Sequence, residues 1–413
     1  MAALMLGIDF SETDLQLSLW NEERTCAEVY SLDNISVHEV IPLFVVALQD
    51  GSFLAGREAL EYTKQEQKEG TSALYGTDLP EVITLNGKQW TSGELLAGLL
   101  GRVFSEIRKR FGGASIARIG ITGERMDEKE KERLLRLLDG LGYPEEKLFF
   151  SSHADAFLWY EMNESGDQAG KLSMALDFDC RGMLSYTLHP LEEGKEHPIY
   201  LEKTDYTEFM PSGLEKIRSE EERTECFSHV TGLALNRREP VRLYVTGRSV
   251  EQESITRILG TLSSKNRRIF CGRSLYSLGV CCQAVKGKFT KPVISDGQLF
   301  HSVFLEAYQD GRSVLLPMAK AGMPKRCSKA VQQVILDETD RLSFCTVDAR
   351  TGAELAFTIQ PDHFRPRENK TVRLEVTTYF LDERTLVVKL RDVGFGAISP
   401  ASYRVWEQMI SLE

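Results

Sequence analysis

Two aspartates stand where carboxylates could do chemistry. Asp9 lies in Gly7-Ile-Asp-Phe-Ser-Glu-Thr13, and Asp177 in Leu176-Asp-Phe-Asp-Cys-Arg-Gly182. In both, an apolar run carries the acid into a polar turn. In such turns an aspartate either satisfies local backbone N–H groups or serves as a ligand for a hard cation. Backbone N–H groups in such turns form concavities that bind phosphate. Arg181, beside the second turn, would grip an anion through its planar fork. His153 reads as a satisfied structural histidine rather than a catalyst. Among eight cysteines there is no C-x-x-C pair, and the only close pair is Cys281-Cys282. Metal-site spacing is therefore absent, and the thiols read as buried and reduced.

Each acid needs a rigid element to hold it. Leu15, Leu17 and Leu19 alternate with Gln16 and Ser18, so Asp9 sits on a strand that turns into a second strand. Met174 to Leu188 repeats that strand–turn–strand frame, and Ile8-Asp9-Phe10 matches Leu176-Asp177-Phe178. A recurrence of this kind points to internal duplication. Thr91-Ser-Gly-Glu94 is a capping box ahead of Leu95, Leu96, Leu99, Leu100, Val103, Phe104 and Ile107, which recur at helical spacing. Strands are expected at 117–122, 148–150, 241–246 and 268–270, and helices at 128–141, 153–162, 252–262 and 275–284. The acidic run from Ser219 to Glu225 reads as a solvated helix. After Lys286 the character changes: 287–312 reads as a linker, and 313–413 as short β-branched strands of a sandwich. The end, 403–412, fits either strand or helix.

At 413 residues the chain is too long for one core, so two or more domains are expected. The net charge of −11 argues against a general nucleic-acid binder. No run of about 20 apolar residues exists, so no membrane span is expected, and neither is a signal peptide. A cytoplasmic protein is the expectation.

The order of these segments resembles the actin, sugar-kinase and heat-shock-chaperone superfamily, and within it a DnaK-type chaperone. Gly7 to Thr13 is similar to that family's first phosphate loop, and Leu176 to Gly182 stands where its second should be. Val245-Thr-Gly-Arg-Ser249 resembles the adenosine motif, and Leu278-Gly-Val-Cys-Cys-Gln-Ala284 the helix that follows it. Arg373 to Asp392 resembles the closing hairpin of the family's peptide-binding sandwich. The resemblance implies an α/β, actin-like two-lobed ATPase-domain fold, 1–286, built of duplicated ribonuclease-H-like halves, 1–170 and 171–286. A sandwich without a helical lid follows. It implies ATP or ADP with magnesium, the metal on Asp9 and Asp177. Nucleotide contacts would come from Asp9, Ser11, Thr13, Asp177, Asp179, Arg181, Gly247, Arg248 and Gly279.

The chain departs from the family at the residues that do the chemistry. Leu60 stands in the catalytic lysine's place and Ser152 in that of the catalytic glutamate. Asp179, Cys180 and Arg181 replace three glycines, and Gly182 a threonine. A leucine cannot stabilise an anion, and side chains now occupy space where phosphate would meet bare backbone. The leading expectation is a chaperone-like protein that binds polypeptide or a protein partner with weak or no ATP hydrolysis. An ATPase or small-molecule kinase with an altered site is the first alternative, and an actin-like assembly module the second.

Overall fold

The computed structural model describes residues 3–32, 40–48, 50, 52–66, 70–76, 79–124, 126–164, 171–179, 182–189, 198–210, 219–236, 238–250, 253–263, 266–289, 292–295, 297–337, 339–361 and 372–412. It is a mixed α/β chain with several sheets and, among the described residues, seven α-helices. The chain divides into two compact units: 1–190 with 202–290, and 191–201 with 291–413.

The first unit opens with β1 (Ala3–Phe10) and β2 (Asp14–Asn21), the expected hairpin, followed by β3 (Cys26–Tyr30). The short β4 (Ile41–Pro42) pairs with β2. Two small hairpins come next: β5 (Val45–Ala47) with β6 (Phe53–Ala55), ahead of α1 (Gly56–Glu66), and β7 (Ile83–Leu85) with β8 (Lys88–Trp90). The capping box is made: the Thr91 hydroxyl accepts from the Glu94 N–H and the Glu94 carboxylate from the Thr91 N–H, starting α2 (Ser92–Arg110). All seven apolar residues expected on one face of α2 are buried. Each such side chain contributes roughly 1.5–3 kcal/mol through burial. Then follow β9 (Ser115–Gly123), α3 (Glu128–Gly140), β10 (Leu148–Phe150) and α4 (His153–Glu164). The sheet order is β10-β9-β1-β2-β3, with β10, β9 and β1 parallel and the hairpin partners antiparallel.

The same order returns in a second sheet. β11 (Ser173–Phe178) pairs antiparallel with β12 (Met183–Leu188), which adjoins β13 (Ile199–Asp205). α5 (Glu220–Ala234), β14 (Arg242–Thr246), α6 (Glu253–Leu262), β15 (Arg268–Cys271) and α7 (Leu275–Lys286) follow. β11, β14 and β15 run parallel. The acidic run 219–225 forms the expected start of a helix, its side chains exposed or half-buried. Phe227, Val230 and Ala234 of α5 are buried in the core of the second sheet, because its apolar residues lie beyond the charged first turn.

Strand periodicity decides what each face meets. Leu6, Ile8 and Phe10 of β1 join the core with α2 and α3, while Met174, Leu176 and Phe178 of β11 join the core with α5 and α6. Alternation therefore turns Gly7 and Asp9, and likewise Asp177, to the opposite faces. There the helices cross over. α7, which follows the second sheet, lies against the first: β-carbons on Gly7 and Gly120 would overlap the carbonyls of Ser277 and Val280. α4, which follows the first sheet, lies against the second through Phe157, Tyr160 and Glu161, all within reach of Tyr244.

The second unit begins its strands with β16 (Val293–Ile294), parallel to Ile199 and Tyr200. β17 (His301–Gln309) stands inside the stretch expected to be a linker, and it pairs with strands on both sides. One sheet runs β18 (Arg312–Ala319), β17, β20 (Leu342–Asp348), β21 (Glu354–Ile359). The other runs β19 (Ala330–Leu336), β22 (Val372–Phe380), β23 (Thr385–Asp392), β24 (Val405–Ser411). Val303, Leu305 and Phe344 from the first share one core with Leu374, Val376, Val388 and Leu390 from the second. That is a sandwich with period-two inner faces. The ambiguous end, 403–412, holds the strand β24.

Candidate functional site

Asp9 and Asp177 each occupy the next-to-last position of a central strand. Across the parallel pairs, Asp9 is level with Thr122 and Asp177 with Thr246. Both threonines are followed by glycine and then by a charged residue, Glu124 in one half and Arg248 in the other.

Into the space between the two aspartates project the first turns of α4 and α7. His153, the first residue of α4, has Nε2 2.9 Å from Asp9 Oδ1 and Nδ1 3.9 Å from Asp177 Oδ2. Tyr276 donates its hydroxyl to Asp177 Oδ2 at 2.7 Å. Its ring stacks on the imidazole, with centroids 3.9 Å apart and planes 8° from parallel. Burial opposes a charge on His153. The carboxyl of Asp9, then that of Asp177, outweighs this and raises its pKa above the ordinary value. Burial pushes the Asp177 carboxyl up, and the Tyr276 phenol well up.

A second bridge closes the mouth. Arg248 Nε lies 3.1 Å from Glu124 Oε1 and its terminal nitrogen 2.6 Å from Asp179 Oδ2. Burial carries the Glu124 carboxyl to about 7, with Arg248 opposing the rise. Gly247 has φ +101, and a β-carbon there would overlap Asp177 Oδ1 and the Phe178 carbonyl. Glycine is thus needed for the backbone to approach the aspartate. A third ion pair joins Arg273 to Asp14 at 3.2 Å.

The hairpin turn residues are spent locally. The Ser11 hydroxyl accepts from the N–H groups of Thr13 and Asp14 and donates to the Asp14 carbonyl; the Thr13 hydroxyl donates to Asp14 Oδ2. Ser152 caps α4, its hydroxyl accepting from the Asp155 N–H. Leu60 lies in α1, and Gly279 lies at the crossing of α4 and α7, where a β-carbon would overlap the Ala156 carbonyl. Neither lines the cleft. Arg181 falls outside the described residues. The structure therefore brings together Asp9, Ser11, Asp177, Asp179, Gly247 and Arg248, and adds Asp14, Glu124, His153, Arg273 and Tyr276. Sequence reasoning set His153 aside and passed over Glu124, Arg273 and Tyr276. The repeated Thr-Gly followed by a charge, 122–124 and 246–248, was the signal that could have found the Glu124–Arg248 bridge.

The cleft these side chains leave is about 40 Å³. That holds a few water molecules at most. Magnesium with a polyphosphate does not fit this arrangement. The carboxyl oxygens that would hold the metal's water shell already face an imidazole and a phenol, and Gly247 brings backbone against Asp177. Among the described residues no cluster of three or more potential metal-binding side chains was found.

Replacing Arg248 with alanine would leave Glu124 and Asp179 without their shared cation. The pairs are partly buried, so the expected loss lies between surface and buried ion pairs, roughly 1–3 kcal/mol. Urea denaturation at pH 8 measures it. The double variant with Glu124→Gln is expected to lose less than Arg248→Ala alone, and an equal or larger loss would contradict the bridge.

The profile of a family of unknown function (DUF5716, C-terminal) matches residues 28–294, and that of a domain of unknown function (DUF8552) matches residues 298–412. No curated protein matches the chain. None of the described helices is long and apolar enough to cross a membrane.

Proposed function

We propose that this chain, which belongs to the family of unknown function DUF5716 (C-terminal), is an actin- and DnaK-like two-lobed protein that works by binding polypeptide or a protein partner, not by hydrolysing ATP. The observation that carries the proposal is His153. Its imidazole lies between Asp9 and Asp177, 2.9 Å from one and 3.9 Å from the other, so the two acids already share a partner within the chain. The two acids raise the imidazole's affinity for a proton, and a protonated His153 would offset them without a ligand. The exchanged helices α4 and α7, and the shared order of the two sheets, support a duplicated actin-like build. The binding role draws support from the second unit, where Tyr308, Leu315, Val331, Ile335 and Met409 are large, apolar and exposed. A partner that covered side chains of this kind would gain apolar burial.

Calorimetry with millimolar Mg-ATP and Mg-ADP tests the reading. No heat of binding is expected, and no phosphate release above buffer. Saturable nucleotide binding, or turnover that Asp9→Ala abolishes, would overturn it. The rival reading, an ATPase or kinase with an altered site, has one observation in its favour. Glu124 faces the cleft with its carboxyl near 7, where a general base works best. That reading requires turnover that Glu124→Gln removes.

A further inference from the structure

We infer that the outer strand β24 is a homodimerisation edge, joining two copies of this chain through an antiparallel pair centred on Gln408. β24 ends its sheet: Val387, Val388, Lys389 and Leu390 of β23 pair with Met409, Gln408, Glu407 and Trp406, and no described strand lies on the other side. Its outward N–H and C=O groups form a template for another strand. Natural edges are blunted by lysine, proline, bulges or very short strands. β24 has seven residues, no lysine and no proline. Its single charge, Glu407, is matched within its own sheet by Lys389 at 3.7 Å. Val405 and Met409 are 48% and 63% exposed, and Tyr403 and Ile398 just before the strand are 72% and 86% exposed. Of the sandwich's other edges, β21 is exposed but has six residues and opens on Glu354. β18 carries Pro317, and β19 lies against β18 across the sandwich.

The occupant follows from the residue order. Val405-Trp-Glu-Gln-Met-Ile-Ser411, laid antiparallel against itself about Gln408, sets Trp406 opposite Ile410 and Glu407 opposite Met409. No like charges face each other. Trp406 and Ile410, half-buried on the core side, would cover each other's exposed edges. Directly opposed aromatic and β-branched pairs stabilise sheets, and like charges there destabilise them. An isologous pairing uses up each copy's edge, so it closes at two rather than propagating.

A cysteine at the twofold tests the register. Opposed residues in antiparallel strands lie about 4.5–5.5 Å apart at Cα, within the span of a disulfide. Full-length Gln408→Cys, mildly oxidised, is expected to give a reducible dimer whose cross-linked peptide joins two copies of residue 408. The wild type, with exposed Cys271 and Cys327, is the control. Met409→Glu places a carboxylate opposite Glu407 of the second copy. It is expected to raise the dimer dissociation constant about tenfold, a like-charge cost of about 1.4 kcal/mol. Met409→Lys should leave the constant unchanged or lower it. Light scattering up to about 100 μM reads all three, spanning the range of weak interfaces. A monomer throughout that range overturns the inference. So does a dimer that yields no 408–408 disulfide, or one that Met409→Glu leaves intact.

Discussion

Gly279→Ala is expected to destabilise the protein by at least about 2 kcal/mol, while Gly260→Ala stabilises it. Both glycines lie inside helices, α7 and α6, where alanine is intrinsically better by about 1 kcal/mol. The difference is what the new β-carbon meets. At Gly260 nothing lies within contact distance, so the propensity gain of roughly 0.5–1 kcal/mol is expected in full. At Gly279 the β-carbon would overlap the backbone carbonyl of Ala156 in α4. Backbone yields less readily than a side chain. Overpacking of even one methyl typically costs about 1–3 kcal/mol, and more where neither element can shift. Thermal and urea unfolding of the two variants side by side give the comparison. Equal behaviour would mean that α4 and α7 do not cross at this distance. The loss would reach the site as well, since moving α7 away from α4 separates Tyr276 from His153.

The two aspartate turns were legible because everything that defines them is local: an apolar strand, an acid, a polar turn and a second alternating strand. Helix α2 was legible for the same reason, from its Thr91–Glu94 box and one unbroken apolar face. What closes the site was not. His153 and Asp9 are 144 positions apart, and their meeting depends on α4 and α7 each packing on the other half's sheet. Nothing in the local pattern at 153 or 276 states that exchange; only Gly7, Gly120 and Gly279 mark it, as places where a helix must come close. Strand β17 was missed because Pro292 and Gly297 punctuate the chain just before it, and the turn signals outweighed the Val303 and Leu305 alternation. The inner face of α5 was hidden by the charged turn ahead of it.

His153→Ala is expected to cost about 3–5 kcal/mol near pH 7, the loss typical of removing one partner from a buried charged cluster. Its pH dependence separates charge compensation from mere packing. The raised pKa of His153 means its contribution is fully present below the unfolded value near 6.5 and fades as pH rises through the folded value. Asp177 is raised too, so its proton-bound form favours folding at low pH and that contribution fades as pH rises. Glu124, near 7 in the fold against an ordinary value near 4.3, has the same sign between those limits. All three groups take up protons on folding, so wild-type stability is expected to fall as pH rises from about 5 to 8. By the same linkage the alanine variant's cost should be largest toward pH 5, where the contribution of the imidazole is fully present, and shrink as pH rises. A bound cation can replace the imidazole. Millimolar magnesium is expected to restore part of the variant's stability and leave the wild type unchanged, since only a species that binds the folded state selectively shifts the equilibrium. Chemical denaturation at pH 5 and pH 7, with and without magnesium, measures each outcome. A cost equal at both pH values, and insensitive to magnesium, would reduce His153 to a packing residue and remove the main support for an internally neutralised site.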